Sequence, residues 1–184
     1  PFRRGDILDR NGTVLATSLL QYKLILDPKK LLSCEDDEYT DTIAAVTEHF
    51  GVNQTELTDK IQGKPDSQYV VVKKQLGYQT VSEFEEKMKN NTKIKGVWFE
   101  QEYVRDYPFK TLACDLIGFS NSENRGFYGI EEYYNDTLNG TNGREYGYYD
   151  SELNIDRIVK KAVNGHSIIS TIDANIQRIV QENI

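Results

Sequence analysis

The sequence predicts an α+β fold with N-terminal β-hairpin strands and a helical head subdomain inserted into a β-rich body. Three observations carry this. Residues 5–27 read as strands around an Asn-Gly turn. Residues 28–96 switch to helical periodicity, with capping residues and glycine stops. Residues 97–105, "VWFEQEYVR", return to strand-like alternation.

Each element follows from local chemistry. "DILD", Asn11-Gly12 and "TVLATS" read as strand, tight turn and strand, because Asn-Gly accepts positive φ at both central positions of a two-residue hairpin. "YKLILD" reads as a further strand, ended by Asp27-Pro28. In "DTIAAVTEHFG", Ile43, Val46 and Phe50 share a helical face and Gly51 stops the helix. In "NQTELTDKIQG", Asn53 is an N-cap with Glu56 three residues on, Leu57 and Ile61 form the apolar edge, and Gly63 ends it. "QYVVVKKQL" is a strand. "TVSEFEEKMKNN" is a helix capped by Thr80, with Glu83 closing the capping box and Val81, Phe84 and Met88 as its stripe.

The later segments read as follows. Val97, Phe99, Gln101, Tyr103 and Arg105 share one side of a strand. "YPFKTLACDLIGF" is a helix with Pro108 in its first turn, Leu112 and Leu116 on one face, and Gly118 as stop. "GFSNSENRG" is expected to be a mobile loop. "GIEEYYNDTLNG" places Ile130, Tyr134 and Leu138 on successive helical turns, closed by Gly140. "GHSIISTID" is a strand, and Asp173 caps a final helix, "ANIQRIVQENI", whose unused apolar face predicts that something follows it. The expected division is a body of residues 1–27 and 97–172, an inserted α+β head at 28–96, and the start of another domain at 173–184.

Composition narrows the function. Twelve Tyr, seven Phe and one Trp supply core area, while 28% charged residues suit an elongated body with several small cores. A net charge of −7 without a basic stripe argues against nucleic acid. No apolar run is long enough to span a membrane. Cys34 and Cys114 lie outside any CxxC, and with two His a zinc site is disfavoured. One disulfide and two free thiols both remain open. There is no S-x-x-K, G-x-S-x-G or K-T-G, and "SNSEN" only brushes S-D-N. "NGTNGREYG" lacks the spacing and lysine of a phosphate loop. His49 and His166 have no partnered nucleophile, and "SCEDDE" reads as a solvated loop. No catalytic, cofactor-binding or metal-binding residue is assigned, so a binding or structural role is expected.

Four segments, in order, resemble class B penicillin-binding proteins. "RGDILDRNGTVLA" resembles their R-G-x-I-x-D-R-N-G-x-x-L-A signature. "RDYPFKTLACDLIGF" is similar to their R-x-Y-P segment. "GFYGIEEYYNDTLNGTNG" looks like G-x-x-G-[IL]-E-x-x-Y-x-x-x-L-x-G-x-x-G. "GHSIISTIDANIQ" looks like the segment that leads into the transpeptidase domain. The resemblance implies the pedestal, or dimerisation, domain. It implies a membrane helix before this chain and, after it, a serine D,D-transpeptidase that cross-links peptidoglycan, with residues 173–184 as that domain's start. It places the chain on the extracytoplasmic face of the bacterial membrane. The implied partners are that transpeptidase domain, a membrane glycosyltransferase and other cell-wall synthesis machinery, with self-association left open. The alternative is a stand-alone extracellular interaction or adhesion module.

The residues matching the motifs are Arg4, Gly5, Asp9, Arg10, Gly12, Arg105, Tyr107, Pro108, Gly118, Gly129, Glu131, Tyr134, Gly140 and Asp173. Such a set suits structure rather than catalysis. Arginine's planar fork can bridge carboxylates and carbonyls from different segments. Arg4 or Arg10, together with Arg105, is therefore expected to make bidentate contacts with Asp6, Asp9 or Glu131. The triplet Arg4-Gly5-Asp6 runs straight into a strand, which makes it incidental to adhesion.

Overall fold

A computed structural model describes residues 1–149 and 155–183. In chain order the elements are β1 (Ile7–Leu8), β2 (Val14–Leu26), α1 (Pro28–Ser33), α2 (Asp36–Phe50), α3 (Gln54–Gln62), β3 (Val70–Leu76), α4 (Tyr78–Asn90) and β4 (Val97–Asp106). There follow α5 (Cys114–Ile117), β5 (Phe119–Ser120), β6 (Gly126–Phe127), α6 (Gly129–Tyr133), α7 (Asn135–Leu138), β7 (Arg144–Tyr149), β8 (Ile155–Lys160), β9 (Ile168–Ile169) and α8 (Ala174–Glu182). The fold is α+β: β1–β9 is parallel, β1–β2, β2–β3, β5–β6 and β7–β8 are antiparallel, and β4 also pairs with β2. Ile184, the last residue of the expected final helix, lies outside the described residues.

The chain forms two compact units, Pro1–Leu19 with Tyr103–Ile184, and Leu20–Glu102. Their boundaries fall inside β2 and β4, whereas the sequence reading drew its breaks at 27/28 and 96/97.

In the Leu20–Glu102 unit, β2 pairs antiparallel with β3, with Ile25 opposite Val71. "TVLATS" and "YKLILD", expected as separate strands, are one continuous strand, which pairs with β1 near its start and, with register shifts between Tyr22 and Ile25, with β3 near its end. Helix α2 starts at Asp36, five residues before the predicted start. The expected loop "SCEDDE" instead supplies Asp36, Asp37 and Glu38 to the first turn, where carboxylates face the positive end of the helix dipole. Gly51 ends α2 at φ 62°, a conformation that costs glycine little. Asn53 caps α3 by accepting from the N–H groups of Thr55 and Glu56. Helix α4 differs from expectation: Gly77 is its N-cap, without a side-chain cap, and Thr80 lies inside the helix. The core gathers Leu24, Leu26, Ile43, Val46, Leu57, Ile61, Val81 and Phe84. Phe84 lies 4.8 Å from Phe50 and 6.0 Å from Phe99, centroid to centroid.

In the other unit, β1 pairs antiparallel with β2 and parallel with β9. The connecting turn is wider than predicted. Only Gly12 (φ 86°) takes positive φ, and the loop closes through Asp9 N–H to the Thr13 carbonyl at 2.8 Å. Residues 108–113 form turns instead of the predicted helix, which shrinks to the four residues of α5. Leu112 and Ile117 point inward and Leu116 is 53% exposed, so the expected Leu112–Leu116 face does not exist. The helix predicted over Ile130–Leu138 breaks at Tyr134 into α6 and α7. The strand expected at 165–173 shortens to β9. A second core joins Ile7, Leu15, Ala16, Leu112, Ile117, Leu138 and Ala174. Cys34 and Cys114 are free thiols.

Phe84→Ala is expected to cost the Leu20–Glu102 unit about 3–5 kcal/mol, the usual range for truncating a fully buried aromatic side chain. Chemical denaturation followed by circular dichroism checks it; a loss below about 1 kcal/mol would contradict a core centred on this ring.

Candidate functional site: a buried arginine-carboxylate cluster

The chemistry-bearing residues converge in the Pro1–Leu19/Tyr103–Ile184 unit. Arg4 lies in the extended segment before β1, Arg105 near the end of β4, and Glu131 in α6. Two backbone features place Glu131. Tyr128 (φ 63°), the residue before α6, and Gly129 (φ 52°), its first residue, both take positive φ, so that the helix starts over the β5–β6 hairpin.

Glu131 is fully buried and divides its two oxygens between two arginines. Oε2 accepts from Arg4 Nε at 2.8 Å and lies 2.7 Å from Arg4 Nη2. Oε1 accepts from Arg105 Nε at 2.8 Å and from the Tyr107 hydroxyl at 3.1 Å. Neither arginine meets the carboxylate as the expected bidentate fork, because one carboxylate serves both. Two cations against one anion leave a surplus positive charge in a buried place, and neutral oxygens balance it. Arg4 Nη1 donates to the Asn124 carbonyl (2.9 Å), Asn139 Oδ1 (2.6 Å) and Asn135 Oδ1 (3.2 Å), and Nη2 donates to the Glu131 carbonyl (2.9 Å). Arg105 Nη1 donates to the Gly5 carbonyl (2.8 Å) and Ser18 Oγ (3.2 Å). Burial, then the Glu131 charge, pushes the Tyr107 hydroxyl above its ordinary pKa and keeps it a donor. It also accepts from Ser120 N–H at 2.9 Å.

The other acidic motif residue, Asp9, does different work. Its Oδ1 accepts from the N–H groups of Asn11 and Thr13, both at 2.8 Å, and Oδ2 accepts from Ala174 N–H at 3.1 Å. Burial alone would raise this carboxyl, but the hydrogen bonds from Ala174, Thr13 and Asn11 outweigh it and hold the pKa below the ordinary 3.8. Asp6 pairs with Arg3 at 2.8 Å. Arg10, offered as an alternative clasp, is exposed and holds neither Asp6, Asp9 nor Glu131. Arg4 is fully buried, so the Arg4-Gly5-Asp6 triplet presents no adhesion surface.

The motif glycines serve close approach as much as bending. A Cβ on Gly5 would fall 2.0 Å from the His166 carbonyl oxygen, and one on Gly140 the same distance from that of Val163. Gly118 and Gly129 combine such crowding with positive φ. Pro108 opens the turn after β4, Tyr134 marks the α6–α7 break, and Asp173 caps α8 by accepting from Asn175 and Ile176 N–H. "GFSNSENRG", the expected mobile loop, is closed by Asn121, which accepts from Glu123 and Arg125 N–H, and it lends Arg4 a carbonyl. The sequence reading missed Asn135 and Asn139. Their signal was available: with Glu131 they recur every fourth residue, as one helical face does.

Among the described residues no group of acidic, His or Cys side chains could hold a metal ion. The cluster is a polar core that binds segments of its own chain.

Residues 1–169 match the family model described as the Penicillin-binding Protein dimerisation domain, and the chain belongs to that family. More particularly, it is 29% identical over its whole length to the probable peptidoglycan D,D-transpeptidase PenA of Neisseria meningitidis, covering 31% of that protein. It is 28% identical over 81% of its length to stage V sporulation protein D of Bacillus subtilis, covering 22% of it. Its fold matches that of penicillin-binding protein 2X from Streptococcus thermophilus with a TM-score of 0.75, at 23% identity, over 98% of this chain and 30% of that one. It also matches a structure titled as a complex between penicillin-binding protein PBP2 and MreC from Helicobacter pylori, with a TM-score of 0.70 at 20% identity, over 98% of this chain and 36% of that one. The chain thus spans a third or less of the curated relatives described here.

Glu131→Ala is expected to destabilise this unit by about 3–5 kcal/mol, because two buried guanidinium groups lose their shared anion. A melting curve unchanged from the parent would contradict that. Arg10→Ala, at an exposed charge, should stay within about 0.5 kcal/mol in the same assay.

Asp9 gives a pH dependence of known sign. A carboxyl held below its unfolded value stabilises the fold above about pH 4, and that contribution is lost as pH falls through the folded value. The stability gap between the parent and Asp9→Asn, measured by denaturant titration from pH 6 to pH 2, should therefore narrow on acidification. A gap that widened would reverse the assignment.

Proposed function

We propose that this chain is the non-catalytic pedestal of a class B penicillin-binding protein. In this reading it positions a D,D-transpeptidase domain for peptidoglycan cross-linking. It stands on the extracytoplasmic face of the bacterial membrane, anchored by a helix that precedes it, and contacts a membrane glycosyltransferase. The observation that carries the reading is the dimerisation-domain match over residues 1–169, in relatives named as transpeptidases of which this chain spans less than a third. The sequence supports it by lacking an S-x-x-K nucleophile segment and a K-T-G motif. The buried cluster supports it too, because it spends the motif's charged residues on fixing segments of the chain to one another. That a similar fold occurs in a complex with MreC supports a role in binding cell-wall partners.

Two measurements test this. Fluorescent penicillin incubated with the 184-residue chain should leave no covalent label, and stoichiometric acylation would overturn the non-catalytic reading. The immobilised chain should retain a polytopic glycosyltransferase from solubilised bacterial membranes, identified by mass spectrometry. Retention that survives in Glu131→Ala protein unfolded at the assay temperature would show the capture to be non-specific.

A further inference from the structure

Helix α8 is attached the wrong way round. An amphipathic helix ordinarily buries its apolar stripe and leaves its polar face to water. Here Ile176, Ile179 and Val180 are 58%, 57% and 47% exposed, and Ala174 is its one buried residue. Ala174, Gln177 and Gln181 are spaced to lie along one side of the helix, where Ala174 is buried, Gln177 is half-buried and Gln181, though exposed, is hydrogen-bonded to the 111–113 segment. Hydrogen bonds, more than apolar packing, hold it there.

Those bonds gather at two points. At the N-terminal end, Asp9 Oδ2 accepts from Ala174 N–H at 3.1 Å, and Arg10 N–H donates to the Ile172 carbonyl at 2.8 Å. At the other end, the Gln181 carboxamide pairs with backbone as a neighbouring strand would. Its Oε1 accepts from Ala113 N–H at 3.2 Å and its Nε2 donates to the Thr111 carbonyl at 3.1 Å. Ala113 is held at φ 51°, a left-handed conformation that a non-glycine residue keeps only when its surroundings enforce it. Ala174 and Gln181 lie about 10 Å apart along the helix axis, at the usual rise per residue. One attachment would leave the helix free to swing; two that far apart fix its direction.

We infer that Asp9 and Gln181 are positioning residues, a two-point clamp that sets the direction in which α8 leaves the unit and presents its Ile176–Ile179–Val180 stripe. Resting on the proposed function, the consequence is that this clamp orients the transpeptidase domain against the pedestal. Asp9 also closes the β1–β2 turn through Asn11 and Thr13, so the same carboxylate ties the N-terminal strands to the helix.

The test uses the 184-residue chain and three variants, Gln181→Ala, Asp9→Asn and the two combined. Amide exchange by NMR reports loosening, and residual dipolar couplings report the direction of α8 relative to β1 and β9. Gln181→Ala should speed exchange at Ala113 and in the last turn of α8 by about fivefold or more. The double variant should speed exchange throughout α8 by about tenfold more than it speeds the amides of β1 and β9, as expected for a local opening added to any general loss of stability. The couplings of α8 should scale down, which a loss of stability alone would not produce. Unchanged exchange and couplings in α8, or acceleration of every amide by one factor, would overturn the clamp. Should Asp9→Asn unfold the turn, Gln181→Ala decides alone, since its side chain belongs to neither the turn nor the arginine cluster. The readout needs no transpeptidase, so penicillin acylation or failed partner capture would sink the proposed function and leave the clamp standing.

Discussion

One carboxylate shared by two guanidinium groups is the constraint on which the Pro1–Leu19/Tyr103–Ile184 unit depends. Glu131 draws together the segment before β1, the end of β4 and the start of α6. Sequestering three ionised groups from water costs several kcal/mol per ion unless each is paired and hydrogen-bonded. That requirement explains the company they keep. The Asn124 and Glu131 carbonyls and the Asn135 and Asn139 amides serve Arg4, and the Gly5 carbonyl serves Arg105 Nη1, while Arg105 Nη2 stays buried without a hydrogen-bond partner among the described residues. A segment that supplies one of these oxygens is pinned by it. The β5–β6 hairpin and α7 are short elements that could not stabilise themselves by local bonds, and they owe their places partly to Arg4.

The glycines follow from the same geometry. For guanidinium groups to reach carbonyls across segments, backbones must approach closely. A Cβ on Gly126 would stand 1.9 Å from the Glu131 carbonyl oxygen and 2.9 Å from Arg4 Nη2. The alternation of charged residues and glycines in the motif segments is therefore one device, in which long side chains span gaps and absent side chains let backbones meet. The Leu20–Glu102 unit is built otherwise, from amphipathic helices closed over β-strands by an aliphatic and aromatic core.

Legibility followed the range of the forces. The cap at Asn53, the stop at Gly51 and the cap at Asp173 were readable because each depends on residues within four positions. The helix expected over 107–118 was not, because Pro108 and its leucines permit a turn as well as a helix, and packing of Leu112 and Ile117 selected the turn. Thr80 has a capping residue's chemistry, yet Gly77 lies three residues upstream and the helix begins there. In the cluster, Arg4, Arg105 and Glu131 stood out as charges in motif segments. Asn135 and Asn139 were masked by the apolar register of Ile130 and Leu138, which occupies the neighbouring face of the same turns.

The sequence alone determined the order of most strands and helices, the absence of a recognisable nucleophile segment, and the family, since these reside in local patterns and ordered motifs. Tertiary structure alone decided which charges meet. Arg4 and Arg10 are the same residue type, and each lies within two positions of a carboxylate along the chain. Only the fold carries Glu131 across 127 positions to Arg4 and leaves Arg10 in water. The reason is that electrostatic pairing acts through space, whereas a sequence records only neighbours along the chain.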